Sequence, residues 1–393
     1  MSSPPEILFL NDFPPSNQNG GTVLIRRLLS GYPTAKLIAL TDSRHDKRLD
    51  PNSQWCAHHV SLPYVRERGR WGLARLMALL NLAAVPLIAL SAARLIRGRP
   101  VSVIVSVASG TYFLAAAIVS SRMKIPWILI VHDDWVPIVS SFLPLPRSFF
   151  GYLMGFALRR ASHIFAVSVG MQEMLKSRYG VDSELQMPAA EQWDLEPGPD
   201  SGRPPGHLRM LYMGNGVSAQ DSLDLLINLI RQETPKRDVP QSVELHLCTP
   251  FTVDPHPNIT QHGWVTENEA RRQIAASDVL FLPYSFAAED RPVTLASFPA
   301  KSADYLASGK AILVLAPRES TIVQYFDQMR CAELVTQLDR DALTQALDRM
   351  AGEEYRRRLA SNAHQAWDTN HNVRRQQERF IEVAKELAGE GGK

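Results

Sequence analysis

The sequence predicts an α/β protein made of two Rossmann-like domains. Three observations predict it. The chain is 393 residues long, enough for two domains of ordinary size. Short, continuous apolar runs rich in β-branched residues recur with helical stretches between them, in two separate series. The two series are divided at residues 188–207, PAAEQWDLEPGPDSGRPPGH, a stretch dense in Pro, Gly and acids and without apolar periodicity.

The first series comprises residues 7–10, 37–40, 101–107, 127–131 and 164–167, and the second 210–213, 243–247, 279–282 and 312–315. Strands buried on both faces read as unbroken apolar runs rather than as alternation, and strands alternating with helices imply parallel sheets covered on both sides. The 188–207 stretch reads as the linker. The expected domains are 1–190 and 191–369. A charged helical tail from about 353 to 388 carries an apolar stripe of Trp367, Val373, Phe380, Ile381, Val383 and Leu387.

Apolar content of 45% and charged content of 21% are those of a globular protein that buries full cores. Cys56, Cys248 and Cys331 are odd in number and far apart, which argues against a disulfide framework or a zinc site and for a reducing compartment. The opening MSSPPEILFLND has no basic region followed by an apolar run, so a cytoplasmic protein is expected. Residues 1–196 hold 20 Lys+Arg against 14 Asp+Glu and the rest 22 against 26, so a first half of +6 precedes a second half of −4. A basic first half suits an anionic surface or substrate; uneven scatter of charge is the plainer alternative.

Residues 76–93 form an 18-residue stretch without a charge, interrupted by Asn81 and Pro86. Arg66, Arg68, Arg70 and Arg75 precede it, and Arg94, Arg97 and Arg99 follow. It can be read as a spanning helix, as a buried helix pair, or as an interfacial helix on anionic lipid. The last reading would put the protein at the inner face of a membrane.

Several residues suggest chemistry by position. The first run ends in Asn11-Asp12 and leads through FPPSNQNGG to a helix, which puts Gly20 and Gly21 where backbone amides and the helix dipole suit a phosphate. The fourth run ends in His132-Asp133-Asp134, at the strand edge where open α/β sheets bind ligands. No other His/Asp cluster completes a metal shell there, so no metal site is expected. In the second half, Ser297-Phe-Pro-Ala-Lys301 stands before a helix start, a second candidate anion site. Asp304, one turn later, is placed to accept hydrogen bonds from ribose hydroxyls.

Together these residues resemble retaining family 4 glycosyltransferases of the GT-B fold, many of which build bacterial polysaccharides and glycolipids. The similar elements, in the family's order, are the Gly20-Gly21 loop, the strand ending in His132-Asp133, HIFAVSVGMQEML, LYMGNG, QHGWV with ASDVLFLP, and FPAKSADYLASGKAIL. The resemblance implies two Rossmann-like domains facing a central cleft, with a last helix, about 370–393, crossing back to the first domain. It implies a nucleotide-sugar donor, used as a substrate rather than a cofactor, and a glycan, lipid-linked or small-molecule acceptor. Nucleic acid is not an expected partner. Gly20 and Gly21 would face the donor diphosphate, and His132 would lie beside the transferred sugar. Gly263 and Trp264 would sit near the base and Asp304 on the ribose, with Asp12 and Asp133 on the acceptor side.

The chain departs from the family pattern at three places. Ala296 stands where a glutamate is expected, and Asn215 and Asp221 occupy the spacings of an Arg/Lys pair after LYMG. Asn215 and Ser297 are then counted on the donor side, and Lys301 supplies the missing positive charge as a catalytic group beside His132. The reading that results is a metal-independent, retaining hexosyltransferase. Its alternatives are a non-catalytic nucleotide-sugar-binding scaffold and a GT-B-like sugar-nucleotide epimerase.

Overall fold

A computed structural model describes residues 3–17, 20–43, 54–63, 71–143, 145–193, 207–216, 219–232 and 242–390. Arg66, Arg68 and Arg70, and most of the 188–207 linker, lie outside them. The chain divides into two compact units, Met1–Met187 with Val373–Lys393, and Pro188–Asn372.

The first unit is a seven-stranded sheet of β1 (Glu6–Leu10), β2 (Leu37–Asp42), β3 (His58–Leu62), β4 (Val101–Val107), β5 (Trp127–Val131), β6 (His163–Ala166) and β7 (Glu184–Leu185), ordered β3-β2-β1-β4-β5-β6-β7. Every pairing is parallel. β1, β2 and β5 are buried along nearly their whole length, as continuous apolar sequence requires when both faces are covered. Trp127, the first residue of β5, is fully buried, its Nε1 donating to Ser106 Oγ of β4 at 2.9 Å. The exposed edge strand β3, HHVSL, was not among the runs predicted, because an edge strand of a covered sheet need not be apolar.

Residues 76–93 belong to two helices, Trp71–Ala83 and Val85–Ile96, broken next to Pro86. No helix among the described residues is long and apolar enough to cross a membrane, which corrects the spanning reading. The second helix buries Val85, Ile88, Ala89, Ala92 and Ile96. Leu76, Leu80, Leu87 and Leu90 are exposed.

The second unit repeats the plan with β8 (His207–Met213), β9 (Ser242–Cys248), β10 (Ile259–Gln261), β11 (Val279–Pro283), β12 (Ala311–Leu315) and β13 (Glu333–Val335), ordered β10-β9-β8-β11-β12-β13 and again all parallel. Its core joins the inner faces of these strands to Leu223, Leu226, Ile227 and Ile230 of one helix and Leu343, Leu347 and Met350 of another.

The tail is not one helix with one stripe. A helix at Glu353–Ala366 runs into a π turn at Trp367–His371, and a new helix begins at Val373. Trp367 and His371 serve the second unit: Trp367 Nε1 donates to the Ala190 carbonyl, and His371 bridges the Pro188 carbonyl at 2.6 Å and Tyr325 Oη at 2.9 Å. Phe380, Val383 and Ala384 enter the core of the first unit, with Phe380 edge-on to Tyr32. Arg379 holds Glu184 of β7 through two bonds, 2.7 and 3.0 Å, which hold the Glu184 carboxyl below its usual range.

The Val373–Glu390 helix is therefore a structural part of the first unit. Phe380→Ala removes a fully buried ring and should cost about 3–5 kcal/mol. Two-probe urea denaturation should show the loss in the first unit's transition alone; an equal loss in both would contradict this assignment.

Candidate functional site

Both sheets reverse their strand order next to the first strand of the unit, between β1 and β4 and between β8 and β11. At such a switch point the loops leaving the two strands diverge and leave a crevice outside the strands' carboxyl ends.

At the first switch point, Asn11 joins the two strand ends: its Oδ1 accepts from the Val107 amide at 3.2 Å and its Nδ2 donates to the Phe13 carbonyl at 3.1 Å. Asp12, the next residue, accepts from Ser109 Oγ at 2.6 Å. Gly110 has φ +50°, and a Cβ there would lie 2.6 Å from Asp12 Oδ2, so only glycine permits this approach. Its carbonyl accepts from Trp135 Nε1 at 2.8 Å, and the Trp135 ring packs edge-on between Phe113 and Phe150.

A cavity of about 600 Å³ opens over these residues. Asp12, Asp133 and Asp42, the last residue of β2, line it together with Ser109 and Gly110. Asp12 and Asp133 are thus brought together. Asp42 and Ser109-Gly110 were missed, although each directly follows or ends a strand, which was the signal that found Asp12.

His132 does not line this cavity. It stands between β5 and Asp133, half-buried, and burial lowers it to about 4 against the opposing pull of Asp133, so the ring is neutral at physiological pH. Asp134 has a structural role: it caps the Trp135–Phe142 helix through the Val136 amide and pairs with Arg178 at 2.6 Å. Gly20 and Gly21 are the first residues of the Gly20–Leu29 helix, which has no acid in its first turn to offset the dipole.

At the second switch point the last residue of β8 and those after it form the loop Met213-Gly214-Asn215-Gly216. Tyr305 Oη accepts from the Met213 amide at 3.3 Å and Tyr212 Oη from the Gly216 amide at 3.2 Å. Lys301, first residue of the Lys301–Ala307 helix, reaches this loop. Its Nζ donates to the Met213 carbonyl at 3.0 Å and lies 4.3 Å from the Tyr212 ring centre, a cation–π contact. Burial lowers the ammonium to about 7. The two tyrosines were missed in sequence: the Tyr305 bond joins residues 92 apart in the chain, and the Tyr212 bond depends on the turn of the loop at Gly214 and Gly216.

Asp304 is half-buried in the first turn of the same helix, and Ser297, nearly buried, accepts through its carbonyl from Tyr284 Oη at 3.2 Å. Asn215 is exposed. Asp221 is tied to the Ser222 and Phe286 amides at 2.8 and 2.7 Å, which makes it a fastener of the loop after β11. Gly263, at φ +70°, and Trp264, 66% exposed, follow the edge strand β10. They stand two strand spacings, about 10 Å, from β8. The loop is held from behind by Glu244, His246 and His262, linked in a row at 2.6 and 2.8 Å. Among the described residues no group of three or more His, Cys, Asp and Glu could hold a metal ion.

The pattern of the Glycosyl transferase 4-like domain matches residues 20–187, which run from the Gly20-Gly21 helix start to the end of the first unit. No curated protein matches the chain. Solved structures similar to it include a sucrose-phosphate synthase from Thermosynechococcus elongatus, with TM-score 0.68, 13% identity, and 98% of this chain and 99% of that one covered. Two trehalose-phosphate synthases are comparably similar. That of Burkholderia multivorans has TM-score 0.68, 12% identity and 100% and 98% coverage; that of Burkholderia vietnamiensis has 0.67, 11%, and 99% and 98%.

Lys301 depends on Gly214 being glycine. Gly214 has φ +148°, and a Cβ would lie 2.9 Å from Lys301 Nζ and 3.0 Å from Tyr212 Oη. Gly214→Ala should cost about 1–3 kcal/mol. Gly309→Ala, at φ +65° with nothing within 4 Å, should cost less. Equal losses in chemical denaturation would mean that the approach to Lys301 is unimportant. With two parallel-sheet α/β units and a likeness to these GT-B glycosyltransferase structures along almost the full length of both chains, the chain has the GT-B fold.

Proposed function

We propose that the protein is a nucleotide-sugar-dependent glycosyltransferase whose second unit binds the donor through the β8 loop and the Lys301–Ala307 helix. The observation that carries this reading is the half-buried Lys301 ammonium at the carboxyl end of β8. An amine held there against its desolvation cost is suited to an anion that can replace the lost solvation. Asp304, one turn on, is placed for the ribose hydroxyls, and Gly263 and Trp264 for the base. In the first unit, the resemblance assigns Gly20 and Gly21 to a diphosphate and His132 to a transferred sugar, with Asp12 and Asp133 on the acceptor side.

In the transfer, the bond from the sugar's anomeric carbon to the diphosphate oxygen breaks. A bond from the acceptor hydroxyl oxygen to that carbon forms. The hydroxyl proton passes to the departing phosphate oxygen, so no separate protein base is required. Charge grows on the diphosphate as the bond breaks, and Lys301 with the adjacent amides counters it. Retention follows from attack on the face that the leaving group departs, and a bound metal has no assigned part. Excess EDTA should leave turnover intact; abolition by EDTA with rescue by Mg²⁺ or Mn²⁺ would refute the metal-free mechanism.

Ala296, where the resembled family carries a glutamate, favours a second reading, a nucleotide-sugar-binding protein without turnover. A thermal-shift screen with UDP, GDP, ADP and CMP tests the shared claim. A ligand at 100 times its dissociation constant raises stability by about 2.7 kcal/mol. No shift with any of them refutes both readings, and a shift without sugar release or transfer favours the second.

Two variants test the donor side. Asp304→Ala should weaken donor binding about 10–150-fold, the equivalent of a charged hydrogen bond of about 1.5–3 kcal/mol, with an almost unchanged melting temperature. Unchanged donor affinity would reduce Asp304 to a helix-dipole acid. Lys301, at about 7 when free, must take up a proton to meet the diphosphate. Affinity for the nucleoside diphosphate should therefore rise as pH falls from 9 towards 7, approaching about tenfold per unit at the alkaline end. Lys301→Met should bind weakly and with a flat profile. Calorimetry in buffers of different ionisation enthalpy checks this, and a flat wild-type profile would contradict it.

A further inference from the structure

We infer that His246 and His262 are positioning residues that set the exposed Trp264 ring, through a hydrogen-bond chain running from Glu244 on β9 to the segment after β10. The inference rests on the donor-binding reading for what the ring meets, and on this network alone for how the ring is held.

Strands β8 and β9 have two unlike faces. Leu208, Met210 and Tyr212 enter the core on one side with Val243, Leu245 and Leu247. The alternate residues Arg209, Glu244 and His246 belong to the other. There Arg209 Nη2 donates to Gln273 Oε1 of the Glu267–Ala275 helix at 2.8 Å. Only Ile274 of that helix is buried, so its seat on the sheet is largely polar.

An ionised carboxylate only accepts hydrogen bonds, and this fixes each proton in the chain. Glu244 is held below its usual range, the effect of burial being outweighed by His246, Arg209 and His207. His246, 5% exposed, therefore donates through Nε2 to Glu244 Oε1 at 2.6 Å. Its Nδ1 then carries no proton, and accepts from His262 Nε2 at 2.8 Å and from Arg209 Nη2 at 3.2 Å. The two rings also stack, 5.1 Å apart and 19° from parallel. Burial, with Arg209 beside it, lowers both imidazoles against the opposing pull of Glu244 on each and of Glu269 on His262. The neutral forms that the chain requires are therefore the ones favoured at neutral pH. A proton added at His246 Nδ1 would face two donors.

His262 is thereby fixed in direction as well as in place. At the other end of the segment, Thr266 Oγ1 accepts from the Glu269 amide at 3.3 Å and caps the helix. Between these two anchors stand Gly263, at φ +70°, and Trp264, 66% exposed. A large ring left in water on a backbone tied at both ends is a platform for a flat partner, and the nucleobase is the flat part of the donor.

The test uses the full chain. Imidazole ¹⁵N shifts of the wild type should show His246 protonated at Nε2 and bare at Nδ1; the opposite tautomer overturns the proposal without any substitution. A second sample carries 5-fluorotryptophan, with the Trp264 signal identified by its loss in Trp264→Phe and the Trp367 signal reporting that the unit is folded. His262→Gln keeps an N–H donor at similar reach, whereas His262→Met has similar length and no donor. The Met variant should shift the Trp264 signal, and the Gln variant should return it towards wild type. A signal unmoved by Met, or moved alike by both, overturns the positioning role. Calorimetry with UDP, GDP, ADP, CMP and base-free pyrophosphate then reads the consequence. The nucleotide that binds the wild type best should bind His262→Met at least about fivefold more weakly, the lower end of what a ring stacked on a base contributes. Gln should restore it, and pyrophosphate should bind all three proteins alike. No nucleotide binding to the wild type overturns the donor reading, with the fluorine signals still deciding the positioning role. An unchanged nucleotide affinity, or an equal loss for pyrophosphate, overturns the link between Trp264 and the base.

Discussion

The parallel pairing of every strand is the constraint on which the rest of the structure depends. It directs all strand ends of a sheet to one edge, and it requires each connection to cross a face of the sheet as a covering layer. Where the winding changes direction, at β1/β4 and at β8/β11, two loops part and expose strand-end backbone that the fold itself cannot cover. Both clusters of chemically capable residues stand there. Asn11, Asp12, Ser109 and Gly110 are built on the first switch point, and Gly214, Lys301 and Tyr305 on the second. The same topology yields two different sites because the residues after the strands differ, not because the strands do.

Lys301 illustrates the energetic side of this arrangement. Desolvation lowers its charge affinity, and the Met213 carbonyl and Tyr212 ring restore only part of what water supplied. A lysine placed only for stability would gain more by extending to solvent, with its stem packed and its head free. Here the ammonium is turned inward to a loop whose two glycines have positive φ. Gly214 makes room for the amine, and Gly216 for the Phe251 ring, 2.6 Å from where its Cβ would stand. The tyrosines hold the loop amides in place so that the amine meets a fixed backbone. The loop, the helix start and the two rings thus act as one unit.

The sequence revealed those parts of the fold whose burial is complete. The nine apolar runs all correspond to strands, because a strand covered on both faces is mostly apolar and carries polar side chains such as Ser106 and His246 only where a partner satisfies them. β3, β7, β10 and β13 escaped notice, being short or at edges where polar residues such as His58 and His59 are tolerated. Position after a strand found Asp12 and Asp133. It left Asp221, at the spacing of an absent basic residue, without a role, and the structure occupies it with two backbone amides. Tyr305 was not legible: its ring is in the core and its hydroxyl acts on the Met213 amide, 92 residues away in the chain, a fact of tertiary structure without local pattern, while Tyr212 closes on the Gly216 amide of its own loop. The split of the tail at Trp367–His371 was hidden for the same reason. Trp367 continues the apolar period of the next helix but packs in the other unit.

Net charge over half a chain and the charge fixed at one site are set at different scales. Residues 1–196 carry +6 and the remainder −4, which suits an anion-binding first half. The cavity of the first unit nevertheless has three carboxylates and, among the described residues, no cation, while the ammonium turned inward belongs to the acidic half. The surplus arginines of the first half include Arg75, Arg94 and Arg97, which are exposed or half-buried and outside the cavity lining. Exposed charges separated by more than about 8–10 Å are screened at physiological salt, whereas buried ones are not. Recognition at a site is therefore governed by the few groups that burial has removed from solvent: Asp12 and Asp42 in one unit, Lys301 in the other. Asp12 is held by Ser109 Oγ and Lys301 by the Met213 carbonyl, so in each unit a charged group is fixed by its neighbour at the carboxyl edge of the sheet.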